Sequence, residues 1–103
     1  MESIKPEGDE VVEFVVDGVL DLHTFLPGEI KRLIPEYIRL CRQQGIGELR
    51  IIHGKGKGVL RRLVHGLLAK EPMVRTYRLA GEEGGSWGAT LVDLHLGESP
   101  PPL

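Results

Sequence analysis

The stretch ELRIIHGKGKGVLRRLVHGLLAK, residues 48–70, decides the fold. Its first six residues, ELRIIH, are a short β-branched run that predicts a strand ending at His53. Three glycines and two lysines follow, and then a helix from about Val59 to Lys70. Val59, Leu60, Leu63, Val64, Leu67 and Leu68 recur at helical spacing as its apolar stripe, and Arg61, Arg62 and His65 are expected on the opposite side. A strand that turns through glycine into a helix is half of a crossover unit. The strands such a helix joins run parallel.

Upstream, FLPGEIKRLIPEYIRLCRQQG at 25–45 repeats the pattern. Ile30, Leu33, Ile34, Ile38 and Cys41 form its stripe, Gly45 supplies a stop, and Pro35 predicts a kink or restart. Before it, VVEFVV at 11–16 and VLDLH at 19–23 flank Asp17-Gly18, a two-residue hairpin signal. Downstream, VRTYRLA at 74–80 and ATLVDLHL at 89–96 read as strands, separated by the glycine-rich GEEGGSWG. The order is β-α-β-α-β-β in one domain, with a possible extra strand in front and tails at 1–10 and 97–103.

Strand direction sorts two Asp-Leu-His triplets, at 21–23 and 93–95. The strands ending at His23, His53 and Ala80 should point one way, so their carboxyl ends share one sheet edge, where open α/β sheets bind ligands. The strand at 89–96 returns antiparallel and takes Asp93 and His95 toward the other end. The first triplet is therefore the site candidate, and the second an echo of strand alternation.

The composition, 41% hydrophobic and 27% charged, is that of a soluble globular protein. One cysteine, Cys41, excludes an internal disulfide framework, and its place on an apolar stripe predicts a buried, inert thiol. The first residues are acidic rather than signal-like, and no run approaches membrane-spanning length, so a cytoplasmic address is expected. The net charge of −2 conceals an asymmetry. Residues 31–80 hold twelve Lys and Arg against three acidic residues, and the remainder holds one basic against twelve acidic. A polyanion responds to such a local +9, not to the sum.

The shared edge can handle phosphate. His53-Gly54-Lys55-Gly56-Lys57-Gly58 lets backbone approach an anion closely at a helix start and adds two ammonium groups. The spacing is not that of a Walker A loop, which disfavours nucleotide triphosphate hydrolysis. Asp21 beside His23 has the form of an oriented base, and Lys55 can neutralise charge on a phosphoryl oxygen. Asp21, His23 and His53 are possible metal ligands, but magnesium usually needs more carboxylates, so that reading ranks lower. No cofactor is certain from these residues, and a divalent metal such as magnesium stays an option. Trp87 in the 81–88 loop is expected either to pack on the core or to stack an unpaired base.

Leu20-Asp21-Leu22-His23, Ile51-Ile52-His53-Gly54-Lys55-Gly56, Gly58-Val59-Leu60-Arg61 and the late Gly84-Gly85, Gly88-Ala89-Thr90 together resemble the Smr (small MutS-related) domain over roughly residues 18–96. The resemblance implies an α+β fold: a two-layer α/β sandwich with a mixed sheet, similar to the C-terminal domain of a translation initiation factor. It implies binding of DNA or RNA and, in many members, endonuclease activity. Carried over, Asp21, His23, His53 and Lys55 form the catalytic set. Gly54, Lys55, Gly56, Lys57, Gly58 and Arg61 hold phosphate, with Trp87 added from its loop. The family's usual glycine after LDLH is Thr24 here, a side chain expected to narrow the cleft. The expectation is a monomeric endonuclease, with ribosomes or DNA-repair proteins as partners. The alternative is a non-catalytic module that binds nucleic acid or protein.

Overall fold

The computed structural model describes residues 15–56, 58–81 and 88–97. Six elements follow in the order β1 (Val19–Asp21), α1 (Pro27–Gln43), β2 (Glu48–Ile52), α2 (Val59–Ala69), β3 (Val74–Leu79) and β4 (Ala89–Leu94). They form a four-stranded mixed sheet in the order β1-β2-β4-β3. β1 and β2 are parallel, and β4 is antiparallel to both β2 and β3. β1, β2 and β3 therefore share one direction, as the crossover argument requires, and β4 runs back between two of them. The carboxyl ends of β1, β2 and β3 meet at one edge.

Alternation along the strands gives the sheet one apolar face. Leu20, Leu22, Leu49, Ile51, Val92 and Leu94 point into the core, where they meet Ile30, Ile34, Ile38 and Cys41 of α1 and Val64 and Leu68 of α2. Val19, Asp21, Glu48 and Arg50 lie on the other face and are exposed. Both helices thus cover a single side, which is the expected two-layer α+β fold. Within α2, Leu60, Leu63 and Leu67 are half-buried, whereas Val59, expected on the stripe, is 59% exposed because it sits at the first helical position. Cys41 is fully buried, and burial pushes its thiol pKa up.

Helix α1 starts with Pro27 in the first turn, and the Leu26 amide donates to Glu29 Oε1 at 2.8 Å. It ends where Gly45 and Ile46 donate to the Arg42 and Cys41 carbonyls, the two bonds of a Schellman stop. Pro35 lies inside one continuous helix, so the restart, one of the two expected outcomes, does not occur. Pro35 and Lys31, whose carbonyl loses the bond, both face solvent, while Ile34 and Ile38 stay clamped in the core. Water can therefore serve the freed carbonyl.

The segment leading into β1 also departs from expectation. Residues 11–14 of the first hairpin arm lie outside the described residues, and Val15 and Val16 are not in a strand. In place of a hairpin, Asp17 Oδ1 accepts the Val19 amide at 3.0 Å, and Tyr37 of α1 pins the turn. The Tyr37 hydroxyl accepts the Gly18 amide at 3.0 Å and donates to the Val19 carbonyl at 3.3 Å. Gly18 holds φ of 92°, and a Cβ there would lie 3.0 Å from the Glu48 carbonyl oxygen, so any side chain here would be strained. Tyr37 fits the α1 period but lies outside the stripe expected from sequence.

Candidate nucleic-acid site

β1 ends at Asp21, one residue before the chain turns, and the carboxylate folds forward over that turn. Asp21 Oδ1 accepts both the backbone amide of His23 and its ring Nδ1–H, each at 2.9 Å. A single oxygen therefore fixes where the imidazole sits and which nitrogen carries its proton. In that tautomer Nε2 is left as an acceptor on a side chain 74% exposed. The Asp21 carboxyl is held below its ordinary pKa, first by the His23 backbone N–H and then by the ring hydrogen bond, with slight burial opposing. Thr24 follows as an exposed residue at the mouth of this turn.

At the end of β2 the chain is fastened rather than exposed. The amides of His53 and Gly54 both donate to the Gly88 carbonyl, at 2.9 and 2.8 Å. The His53 ring is 7% exposed and has both nitrogens engaged. Nδ1 lies 3.0 Å from the Gly54 carbonyl oxygen, and Nε2 lies 2.8 Å from Thr90 Oγ1. One expectation about the loop changes as a result: the Gly54 amide is committed to Gly88 and is not free for a ligand. Among the described residues, no acceptor engages the amides of Lys55, Gly56 and Gly58.

Beyond the fastening point, His53, Gly54, Gly56, Gly58, Val59, Leu60 and Arg61 line a cavity of about 160 Å³. Gly58 caps α2 with φ of 85°. A Cβ there would come within 2.9 Å of the Arg61 guanidinium and 3.1 Å of that of Arg62. Both arginines therefore fold back over the loop. Arg61 was expected there, whereas Arg62 was assigned only to a solvated face. A methyl group would displace these cations, so glycine here serves the charge as well as the turn. Lys55 is exposed, and its stem passes 3.5 Å from the position a Gly88 Cβ would take. A larger depression of about 270 Å³ lies on the open sheet face between Asp17, Arg50 and Arg78, away from this loop.

His65 corrects the sequence reading. It was expected to point away from the core with Arg61 and Arg62. Instead it faces the sheet, with Nε2 2.7 Å from Thr90 Oγ1 and its ring 5.1 Å from Tyr77, edge to face. Burial, then electrostatic repulsion between its protonated form and the neighbouring His53 and Arg61, push its pKa down. Thr90 is fully buried between the two imidazoles. No local signal marks His65: position 65 adjoins the buried Val64, and its partner Thr90 lies 25 residues away. A polar residue beside a stripe can still reach a buried hydroxyl.

Lys57 and Trp87 lie outside the described residues, as do the glutamates at 82 and 83. Among the described residues, no three His, Cys, Asp or Glu side chains converge as a metal-holding group, and no helix is long and apolar enough to cross a membrane.

The geometry has close counterparts. The crystal structure of the Smr domain of Thermus thermophilus MutS2 superposes with a TM-score of 0.71 at 28% identity, covering 77% of this chain and 99% of that one. YdaL, a stand-alone small MutS-related protein from Escherichia coli, gives 0.69 at 26% identity, covering 75% and 63%. In sequence, the chain is 48% identical over 79 residues to endonuclease MutS2 of Halothermothrix orenii, covering 77% of this chain and 10% of that protein. It is 34% identical over 88 residues to ribosome rescue factor SmrB of Shewanella sp. (strain W3-18-1), covering 85% and 50%. The chain thus spans about a tenth of the first relative and half of the second. The Smr domain model matches residues 20–95, from the LDLH segment through the last strand. With that match across most of its length, and with both the mixed sheet and the glycine-rich loop in place, the chain belongs to the Smr domain family.

Proposed function

We propose that this Smr domain binds nucleic acid at the shared sheet edge and cleaves its phosphodiester backbone. The observation that carries the proposal is the Asp21–His23 pair, in which one carboxylate oxygen fixes both the position and the tautomer of an exposed imidazole. His23 Nε2 takes a proton from the attacking hydroxyl, and Asp21 stabilises the imidazolium that results. In RNA the attacking group is the neighbouring 2′-hydroxyl: its oxygen bonds to phosphorus as the bond to the 5′-oxygen breaks, and the leaving 5′-oxygen takes up a proton from the imidazolium, leaving a 2′,3′-cyclic phosphate. In DNA it is a water molecule. Lys55, the Arg61 and Arg62 guanidiniums and the amides of Lys55, Gly56 and Gly58 receive the phosphate and the charge that develops on it. Lys57 is assigned to the same loop.

His53 belongs to the site in a different capacity from the catalytic one expected. With its ring buried and both nitrogens engaged, it fastens the loop and leaves proton transfer to His23. The names of the two curated relatives, an endonuclease and a ribosome rescue factor, fit a nucleic-acid substrate and a ribosomal setting. The second reading is a binder that keeps the cradle without cleavage.

Labelled single-stranded RNA and supercoiled plasmid, each incubated with and without EDTA, separate these readings. Cleavage abolished in His23→Ala, with binding retained, is the expected result. Binding without cleavage by the wild-type chain would establish the binder. Lys55→Ala should weaken binding and lower the log–log salt slope by about 0.7–0.9 for each phosphate left without its cation. An unchanged slope would remove Lys55 from the cradle.

A further inference from the structure

Three groups outside the proposed proton transfer meet beneath the loop: His65 on α2, Thr90 on β4 and His53 after β2. Their hydrogen positions follow from what each neighbour can accept. The Gly54 carbonyl accepts only, so His53 Nδ1 at 3.0 Å carries a proton and donates it. In that tautomer Nε2 carries no hydrogen and accepts the Thr90 hydroxyl hydrogen at 2.8 Å. That hydroxyl has spent its one hydrogen, so at 2.7 Å from His65 it accepts, and His65 Nε2 carries the proton. The chain of donation runs from His65 to Thr90 to His53 to the Gly54 carbonyl. It reaches the residue whose amide, with that of His53, is tied to Gly88.

We propose that His65 is a positioning residue for the phosphate cradle: acting through Thr90, it holds His53 in the Nδ1–H tautomer and so ties down the Gly54 carbonyl at the root of the loop. The role rests on the reading of that loop as the phosphate site. Thr90 is fully buried, so a hydroxyl hydrogen aimed at neither ring would go unpaired. With His65 donating from one side, the hydrogen has a single destination, His53. Tyr77 of β3 holds the His65 ring edge to face, and the groups around His65 are His53, Thr90, Tyr77 and Arg61. Its lowered pKa keeps the ring neutral near pH 7, the state the donation chain describes. Removing His65 admits water, which accepts the Thr90 hydrogen as readily as it donates. Both His53 tautomers then open, and the Gly54 carbonyl is released for part of the time.

The test reads tautomers and affinity separately. Nitrogen-15 spectra of the histidine rings in the full chain should show His53 protonated at Nδ1 and His65 at Nε2. In His65→Ala, His53 should become a mixture of tautomers, whereas Thr90→Val, which leaves the Gly54 carbonyl as the ring's one partner, should keep the Nδ1–H form. His65→Gln, whose amide N–H replaces the missing donor, should restore the Nδ1–H form. Titration with a fluorescein-labelled oligouridine RNA should show binding weakened about three- to ten-fold in His65→Ala and recovered in His65→Gln, the scale of one net hydrogen bond. An unchanged His53 tautomer in His65→Ala would overturn the proposal whatever the RNA does. Tautomers that shift as expected in a chain whose wild type binds no RNA would instead strike out the phosphate reading and leave the donation chain standing.

Discussion

In Asp21-Leu22-His23 the carboxylate turns forward onto its own histidine, whereas in Asp93-Leu94-His95 it reaches sideways to another strand. Asp93 Oδ2 accepts the Thr76 hydroxyl at 2.9 Å, and Thr76 is its register partner on β3. The His95 amide donates to the Met73 carbonyl, and its own carbonyl accepts from Arg42 Nε at 2.7 Å. The tripeptide is the same and so is the alternation, with Leu22 and Leu94 both buried. What differs is the place in the sheet. β1 is an edge strand that ends in an open turn, whereas β4 has a partner on each side. A central strand offers its polar side chains cross-strand neighbours, which engage them before any ligand can. An edge strand leaves the carboxylate only its own backbone and its own imidazole.

The largest expected effect separates the two histidines. His23→Ala should lower cleavage by about 10²–10⁴-fold, the usual worth of a positioned general base. A folded His95→Ala chain should cleave at close to the wild-type rate. Loss of activity in the second variant would break the contrast and, with it, the strand-direction argument that assigns the two triplets to opposite ends.

Next is the support of the edge strand. Tyr37→Phe deletes the hydroxyl that accepts the Gly18 amide and donates to the Val19 carbonyl. Leaving that buried amide unpaired should cost about 1–3 kcal/mol in urea denaturation. Amide exchange should locate the damage, with protection falling at Val19–Asp21 while Ala89–Leu94 keeps its own. A uniform loss across both strands would show that β1 is no more loosely held than the centre of the sheet.

Acidity should also act unequally. The folded-state pKa of Asp21 is lowered, so its contribution to stability is complete above the ordinary carboxylate range. That contribution disappears as pH falls through the lowered value. His65 is likewise lowered, and the folded chain prefers its neutral form. Stability should therefore decline as pH drops from the ordinary histidine value of about 6.5 and level off below the depressed one. His65→Gln should flatten that upper step and leave the acid one, as followed by denaturation midpoints across pH.

Much of this contrast was legible in the chain. Helical and strand periods located all six elements, and their joining through helices set the common direction of β1, β2 and β3. Direction alone then separated the triplets. Pairings between residues distant in sequence were not legible. His65 beside Val64 reads as one more solvated position, because the period does not reveal a buried Thr90 within reach of its ring. Tyr37 escapes notice for a related reason: its partner is a glycine amide 19 residues away. Whether Pro35 would end the helix was not legible either, because its cost depends on which face of the helix it occupies, and that is fixed by packing rather than by local preference.

The smallest expected effect comes from making one chemical change in both triplets. Aspartate to asparagine keeps an acceptor oxygen of the same shape and removes only the charge. In Asp93→Asn that oxygen can still take the Thr76 hydroxyl hydrogen, a neutral partner that needs no charge opposite it. Stability should move by no more than about 0.5 kcal/mol, as is usual for partly exposed substitutions, and cleavage should not change. In Asp21→Asn the oxygen still receives the His23 amide and Nδ1–H, so the ring stays in place, but its protonated form loses the adjacent charge. Part of the base's worth, about 10²–10⁴-fold in all, goes with that charge, so cleavage should fall measurably while RNA affinity holds. The two variants are matched in chemistry, shape and sequence context. Equal rates in both would mean that Asp21 serves only to shape the turn, and the difference between edge and centre would then be one of architecture alone.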